Sequence, residues 1–381
     1  MNFPLENEDM SLIKKFELEA SRIPWVVSLA QWIPRYPTPQ PIVDFLIEKI
    51  KKWETNRYSI VPWLPQLRDS IAARYFEKYN IEIDPEKNIT ITAWAIEAIS
   101  SFLLATLFPE DEVILIDPTY ASYRWCVLTA RWKPISAPLD DNRDLNIETI
   151  KKLITSKTKA IIFPNPNNPT GSIFSLDKIK KLLEISKEKN IYVVIDEVYD
   201  EFIYDNEIFQ SAIIFFKSYP NLVLVNSWSK TFGMTWWRIW YIIAEERLNK
   251  EIIKVHDNLL TCAPVHSQWA AISTFEIYDE WAKKIKKQLQ ERRDYTIKQL
   301  NQLKDFIDFQ IPKAAYFVFP KFKYTDNDYE ECINILHKAK LALVPGSGFW
   351  NRWKGHFRIC FWRDFDDLKE WLERLKKYFW K

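Results

Sequence analysis

The chain has 381 residues, with 53 Lys and Arg against 51 Asp and Glu and a net charge of +2. That length holds a large core and two domains, and the balanced charge excludes a nucleic-acid or membrane-surface signature. Four widely spaced cysteines (Cys126, Cys262, Cys332, Cys360) with no CxxC argue against a zinc site or a disulfide framework and fit a reducing compartment.

Residues 1–23 are polar and then amphipathic, an arm or a helix. Residues 24–41 hold five prolines (Pro24, Pro34, Pro37, Pro39, Pro41) and read as an extended segment. Helical periodicity covers 42–52 and 64–79. Strands and helices then alternate: strand 89–92, helix 95–107, strand 112–117, helix 120–130, strand 133–138, helix 147–154, strand 160–163, helix 175–189, strand 192–196 and strand 222–225. The runs Val113–Ile116, Ala160–Phe163 and Tyr192–Ile195 are apolar without alternation, which predicts a parallel sheet covered on both faces. A long helix over about 277–303 leads into a mixed region with strands near 317–320 and 357–361. The Lys-rich stretches 178–189 and 283–287 read as solvated helix faces. No run approaches the ~18 apolar residues of a membrane span. The acidic, polar first residues do not look like a signal peptide. The expected location is the cytoplasm.

Chemistry concentrates at the predicted strand ends, where open α/β sheets bind ligands. Ser227-Trp228-Ser229-Lys230 follows the apolar run Leu222–Val225, with Arg238 eight residues beyond the lysine. A lysine at the mouth of a buried strand is a poor structural choice but a good covalent anchor. Its amine can form a Schiff base with a carbonyl, and burial or a nearby cation lowers its pKa. Asp196 ends another apolar strand and begins Asp196-Glu197-Val198-Tyr199. Between them in the chain lies the rigid turn Pro164-Asn165-Pro166-Asn167-Asn168-Pro169-Thr170-Gly171. Thr92-Ala93-Trp94-Ala95 opens a helix, whose N-terminus suits an anion. Arg358 sits in an alternating strand, and a guanidinium is shaped for a carboxylate.

The pattern S-x-S-K-x7-R resembles the cofactor-lysine motif of the fold-type I pyridoxal-phosphate enzymes, the class I/II aminotransferases of aspartate aminotransferase type. D-E-x-Y and N-P-x-N-P-T-G recur in family order, Thr92-Ala93-Trp94-Ala95 resembles the family's T-x-G-A loop, and the likeness spans about residues 25–365. It implies an α/β fold: a large domain with a mostly parallel sheet covered by helices (46–280), and a small α+β domain from both chain ends (1–45 and 281–381). It further implies pyridoxal 5′-phosphate as cofactor. Lys230 would be the Schiff-base anchor and the general acid and base, Asp196 the partner of the pyridine nitrogen, and Asn168 and Tyr199 the partners of the phenolate oxygen. Tyr120 would stack on the ring. Trp94, Ala95, Ser227, Ser229 and Arg238 would surround the phosphate. Tyr58 would reach the phosphate of the neighbouring subunit of a homodimer. Arg358 would bind the substrate α-carboxylate, and Trp32, in a loop similar to the family's Q-G-x-P, would lie on the substrate side, with Arg35 and Tyr36 nearby. The implied reaction moves an amino group from an L-amino acid to a 2-oxo acid with ping-pong kinetics. A lyase or a decarboxylase on the same fold is the alternative. Nothing marks a second carboxylate site, so dicarboxylic, aromatic and aliphatic substrates stay open.

Glycine is the departure. An average protein has about 7 % Gly, roughly 27 residues at this length; this chain has 5, and 18 Trp. Trp32, Trp63, Trp94, Trp236 and Trp240 stand at turn or motif positions where glycine's positive φ or close approach is wanted. One explanation is UGA codons that mean glycine being read as tryptophan; deliberate substitution is the rival. Trp228, Trp237, Trp269 and Trp281 read as true tryptophans. Made as written, the chain is expected to misfold or to fail to bind the cofactor, with Trp94 blocking the phosphate and Trp236 and Trp240 crowding the turn after Lys230.

Overall fold

The computed structural model describes residues 11–30, 36–59 and 63–380. Its centre is a seven-stranded sheet of β1 (Ile89–Thr92), β2 (Glu112–Asp117), β3 (Lys133–Pro138), β4 (Thr158–Pro164), β5 (Tyr192–Asp196), β6 (Leu222–Ser227) and β7 (Trp240–Ile243). The spatial order is β1-β7-β6-β5-β4-β2-β3. Strands β3, β2, β4, β5 and β6 pair in parallel. β7 is antiparallel to both of its neighbours.

Successive strand residues point to opposite faces, so a strand buried on both sides must be apolar throughout. Val113, Leu115, Ile162, Val194, Val223 and Ile242 enter one core with α4 (Ala95–Thr106), α5 (Ala121–Thr129) and α8 (Glu246–Leu260). Ile114, Ile116, Ile161, Val193, Ile195 and Leu224 enter the other with α3 (Pro65–Tyr79), α7 (Leu176–Lys189) and α9 (Val265–Thr274). The parallel part of the sheet and its helices follow the sequence expectation within a few residues. β7, α8 and α9 were not foreseen.

The chain ends meet. Val27–Ser28 pairs in parallel with Leu341–Ala342, and Phe357–Cys360 lies between Phe317–Val318 and Val344–Pro345. The helix Tyr278–Leu300 crosses the expected 280/281 division. Gly171 joins the two regions: its carbonyl accepts from the N–H groups of Lys313 and Ala314. It has φ +69°, and a Cβ there would lie 2.5 Å from the Pro312 side chain. Only glycine permits that approach.

Candidate active site

Strand register builds the site. Pro164 pairs with Asp196 across β4 and β5, and Asp196 with Val225 across β5 and β6. Ser227, Trp240 and Thr92 are partners across β6, β7 and β1. The turn after β4, the Asp196 carboxyl, the lysine loop and the start of α4 therefore share one sheet edge. Their side chains line a cavity of about 20 Å³ containing Lys230, Asp196, Asn168, Tyr199, Tyr120 and Ala95, walled also by Trp94 and Trp240.

Lys230 is 1 % exposed. Burial, with the positive charges of Arg238 and Arg358, holds its amine well below the ordinary lysine value, against the opposing pull of Cys360 and Asp196. Its backbone is fixed from two elements. The Tyr36 hydroxyl donates to the Lys230 and Thr231 carbonyls, and the Trp281 indole donates to Thr231 O at 2.8 Å. Tyr36 thus supports the lysine loop's main chain, a different contact from the substrate contact considered for it.

Asp196 Oδ2 accepts from the Tyr123 hydroxyl at 2.6 Å, and Oδ1 from the Val198 N–H at 3.1 Å. Burial still pushes its carboxyl up to about 6. Tyr123 and Val198 also line the cavity and were missed from sequence. The D-E-x-Y motif contained Val198, but Tyr123 depends on α5 bringing its hydroxyl to the Asp196 carboxyl at the end of β5.

Asn168 bridges two functions. Its Nδ2 donates to the Tyr199 hydroxyl at 3.5 Å, and its Oδ1 accepts from Arg358 Nη1 at 2.9 Å. Burial, with the negative charge of Asp196, raises the Tyr199 phenol. Arg358 is buried and donates its other terminal nitrogen to Ala30 O at 3.0 Å. Both acceptors are neutral, and Nε has no partner. Among the described residues Arg358 has no carboxylate partner, although buried charges are ordinarily paired.

At the opposite end, Arg238 has the same character. Nη1 donates to Thr235 O, Nη2 is buried without a partner, and the guanidinium lies 4.1 Å from the Trp94 ring centroid. Ser227 Oγ donates to Ile239 O and accepts from the Ser229 N–H, and Ser229 Oγ lies 3.5 Å from Met234 O. Trp94 N-caps α4 in extended backbone, φ −158°, which strains no residue type. The loop before it is held by Glu97, which accepts from the Ala93 N–H and the Ser101 hydroxyl and contacts His256 Nδ1 at 2.5 Å.

The remaining sequence candidates divide. Tyr58 is 81 % exposed and away from this cavity. Trp32 and Arg35 lie outside the described residues. Trp236 is 83 % exposed, so its ring turns to solvent and does not crowd the lysine turn; this corrects the expectation. Trp240 does reach the cavity. A second cavity of about 580 Å³ shares Trp94 and Tyr120 with the first, and its wall includes Arg358, Ile96, Trp125 and Phe349.

A lysine, two acidic and amide partners and two uncompensated guanidinium groups around one sheet edge suit an anionic substrate and a covalently held cofactor. The comparisons agree. The profile of the family "Aminotransferase class I and II" matches residues 25–375. The chain is 31 % identical to an aspartate aminotransferase of Pyrococcus abyssi, covering 99 % of this chain and 97 % of that one. It is 28 % identical to an aromatic-amino-acid aminotransferase of Thermococcus litoralis, covering 98 % and 96 %. The crystal structure of an aspartate aminotransferase of Thermotoga maritima superposes with a TM-score of 0.91 at 27 % identity, over the whole of both chains. Fold, site and relatives converge: the chain belongs to the class I and II aminotransferases, enzymes that pass an amino group from an amino acid to a 2-oxo acid.

Proposed function

We propose that the chain carries out this transfer with pyridoxal 5′-phosphate held at Lys230. The supporting observation is that one cavity is lined at once by Lys230, Asp196, Asn168 and Tyr199. The donor set fits the cofactor handle by handle. Lys230 would hold the aldehyde carbon, Asp196 would face the pyridine nitrogen, and Asn168 and Tyr199 the phenolate oxygen. Arg238, Ser227, Ser229 and the start of α4 at Trp94 and Ala95 would hold the phosphate, whose charge the orphaned Arg238 nitrogen lacks. Tyr120 would lie on the ring. When bound, the cofactor supplies an electron sink for the bonds at the amino-acid α-carbon.

The residues do the rest. Arg358 binds the substrate α-carboxylate, the anion its burial calls for. Lys230 Nζ, whose pKa burial lowers, would take the α-proton and give it back as general base and acid. Asn168, bonded to Arg358, sets substrate and cofactor sides in one frame. Among the described residues, Ile96, Trp125 and Phe349 make the adjoining cavity apolar, and Lys14 at its edge is exposed and already paired with Glu17. That lining favours a large apolar or aromatic side chain over a second carboxylate.

The working unit in this reading is a homodimer, with Tyr58 completing the partner's phosphate site. The division 1–45, 46–280 and 281–381 separates small and large domains, with Tyr278–Leu300 as the connecting helix. No helix among the described residues is long and apolar enough to cross a membrane, in keeping with a cytoplasmic location. The test is Lys230→Ala. Borohydride reduction followed by peptide mass analysis should find the cofactor on Lys230 in the parent and no adduct in the variant; an adduct that persists elsewhere overturns the assignment. Keto acid formed over many turnovers without an amino-group acceptor, beyond the one equivalent of the first half-reaction, would instead indicate a lyase.

A further inference from the structure

We propose that positions 25, 53, 63, 94 and 240 carry glycine in the protein the cell makes, from UGA codons, and that Trp94 and Trp240 as written close the phosphate end of the cofactor pocket. The part about the pocket rests on the cofactor reading above; the part about the codons does not.

Two independent sets of observations support it. The first is backbone conformation. Trp25, Trp53 and Trp63 have φ of 62°, 60° and 77°, a left-handed region that is an outlier for a bulky side chain and ordinary for glycine. At Trp53 the reason is visible. It follows the C-cap Lys52 of the helix Gln40–Lys51. The Trp53 N–H donates to Ile50 O at 2.9 Å and the Glu54 N–H to Lys49 O at 3.1 Å. That pair of bonds defines the helix stop in which the left-handed residue is usually glycine. Two of the indoles gain little in return. Trp25 is 89 % exposed and Trp53 74 %. Trp63 is buried, but its Nε1 has no acceptor.

The second is space. The cavity that must take a phosphorylated pyridine measures about 20 Å³, room for about one water. The polar groups around it match the cofactor, so the misfit lies in the wall. Trp240 stands in register between Thr92 and Ser227, the ends of the two strands that lead into the α4 loop and the lysine loop. Its Nε1 is buried without a partner. Trp94 separates the small cavity from the one of about 580 Å³, and its ring occupies the face of Arg238. Removing the Trp94 ring clears the face of Arg238, and removing the Trp240 ring clears a wall of the small cavity.

Four other tryptophans behave differently. Trp237 donates its indole N–H to Thr38 Oγ1 at 2.9 Å, Trp269 to Glu54 O at 3.3 Å and Trp281 to Thr231 O at 2.8 Å. Trp228 is buried against Tyr241 and Phe275. These four sit where an indole is used.

The experiment has two arms. In the first, the gene is read and the protein isolated from its own cells is analysed by peptide mass. The expected result is UGA with glycine mass at the five positions, and UGG with tryptophan mass at 228, 237, 269 and 281. UGG with tryptophan mass at the five positions overturns the proposal. In the second, the chain as written and its Trp94→Gly/Trp240→Gly variant are made from synthetic genes and titrated with pyridoxal phosphate, following the visible absorbance of the lysine adduct. The variant is expected to bind at least 100-fold more tightly; equal binding overturns the blocking role. If the written chain does not fold, the five-glycine form serves as parent and tryptophan is restored at 94 and 240 singly. Loss of binding then supports the block, and full retention overturns it. A glycine result in the first arm together with a variant that never forms an adduct would sink the cofactor reading and leave the codon inference standing.

Discussion

Asp196 accepts two hydrogen bonds, yet burial pushes its carboxyl up to about 6. The group is more acidic unfolded than folded. Its contribution to stability is therefore fully present below the ordinary value near 4 and is lost as pH rises through about 6. In the cofactor-free protein at neutral pH, the Asp196 carboxylate is a net cost. Asp196→Asn should stabilise that form by about 1–3 kcal/mol at pH 7.5, with the difference vanishing below about pH 4, as read by urea unfolding across pH. The same variant should cut turnover far more than cofactor loading. Equal loss of both would make Asp196 an anchor and not an electronic partner. At this scale the sequence was informative where chemistry-bearing residues end apolar runs, as with Asp196, Lys230 and Arg358. It was silent on Tyr123, whose aromatic ring at a helical position has the look of any core residue until its hydroxyl is seen at the Asp196 carboxyl.

Among the elements, α4 shows how a loop is held by its own helix. Glu97, in the first turn, accepts from Ala93 before the helix and meets His256 on α8. Glu97→Ala leaves the Ala93 N–H and the buried His256 ring without that partner. It should cost about 1–3 kcal/mol and weaken cofactor affinity while sparing the KM for the amino acid. Thermal unfolding and a cofactor titration check the two halves; an unchanged cofactor affinity would show the loop does not depend on Glu97. Strands β2 to β6 were legible because continuous apolar runs leave little choice. β7 was not, because four residues opening on Trp240 carry no alternation and antiparallel pairing is invisible to composition. Helix α8 did carry a signal, Leu248, Ile252 and His256 at four-residue spacing, that was not taken up. The strand expected near 317–320 is present as Phe317–Val318, whereas Val344–Pro345, two residues long, is too short for any period.

For the whole molecule, the exposed ring of Tyr58 sets the question. If Tyr58 serves the partner's site, Tyr58→Phe should lower cofactor affinity by 10-fold or more. Hybrids of Tyr58→Phe with Lys230→Ala subunits should regain parental affinity in the one site that has both groups. Cofactor titration of the purified hybrid distinguishes this from a tyrosine acting within its own chain, where no recovery occurs. The architecture that makes this possible was expected from motif order, since the anchors recur along most of the chain. Which loops carry strain was not, because φ is a property of the folded backbone.

The Arg358–Asn168–Tyr199 contacts have a further meaning. They run without a gap from a strand in the C-terminal region, through the turn after β4, to the motif after β5. In the proposed reading, an arriving carboxylate would compete with the Asn168 oxygen for the guanidinium, and whatever Asn168 lost there would alter what it offers to the tyrosine. Substrate recognition and cofactor tuning would then be one shared circuit. A lesion at either terminal is felt at the other, and the free energies assigned to the two ends cannot be summed as if they were independent.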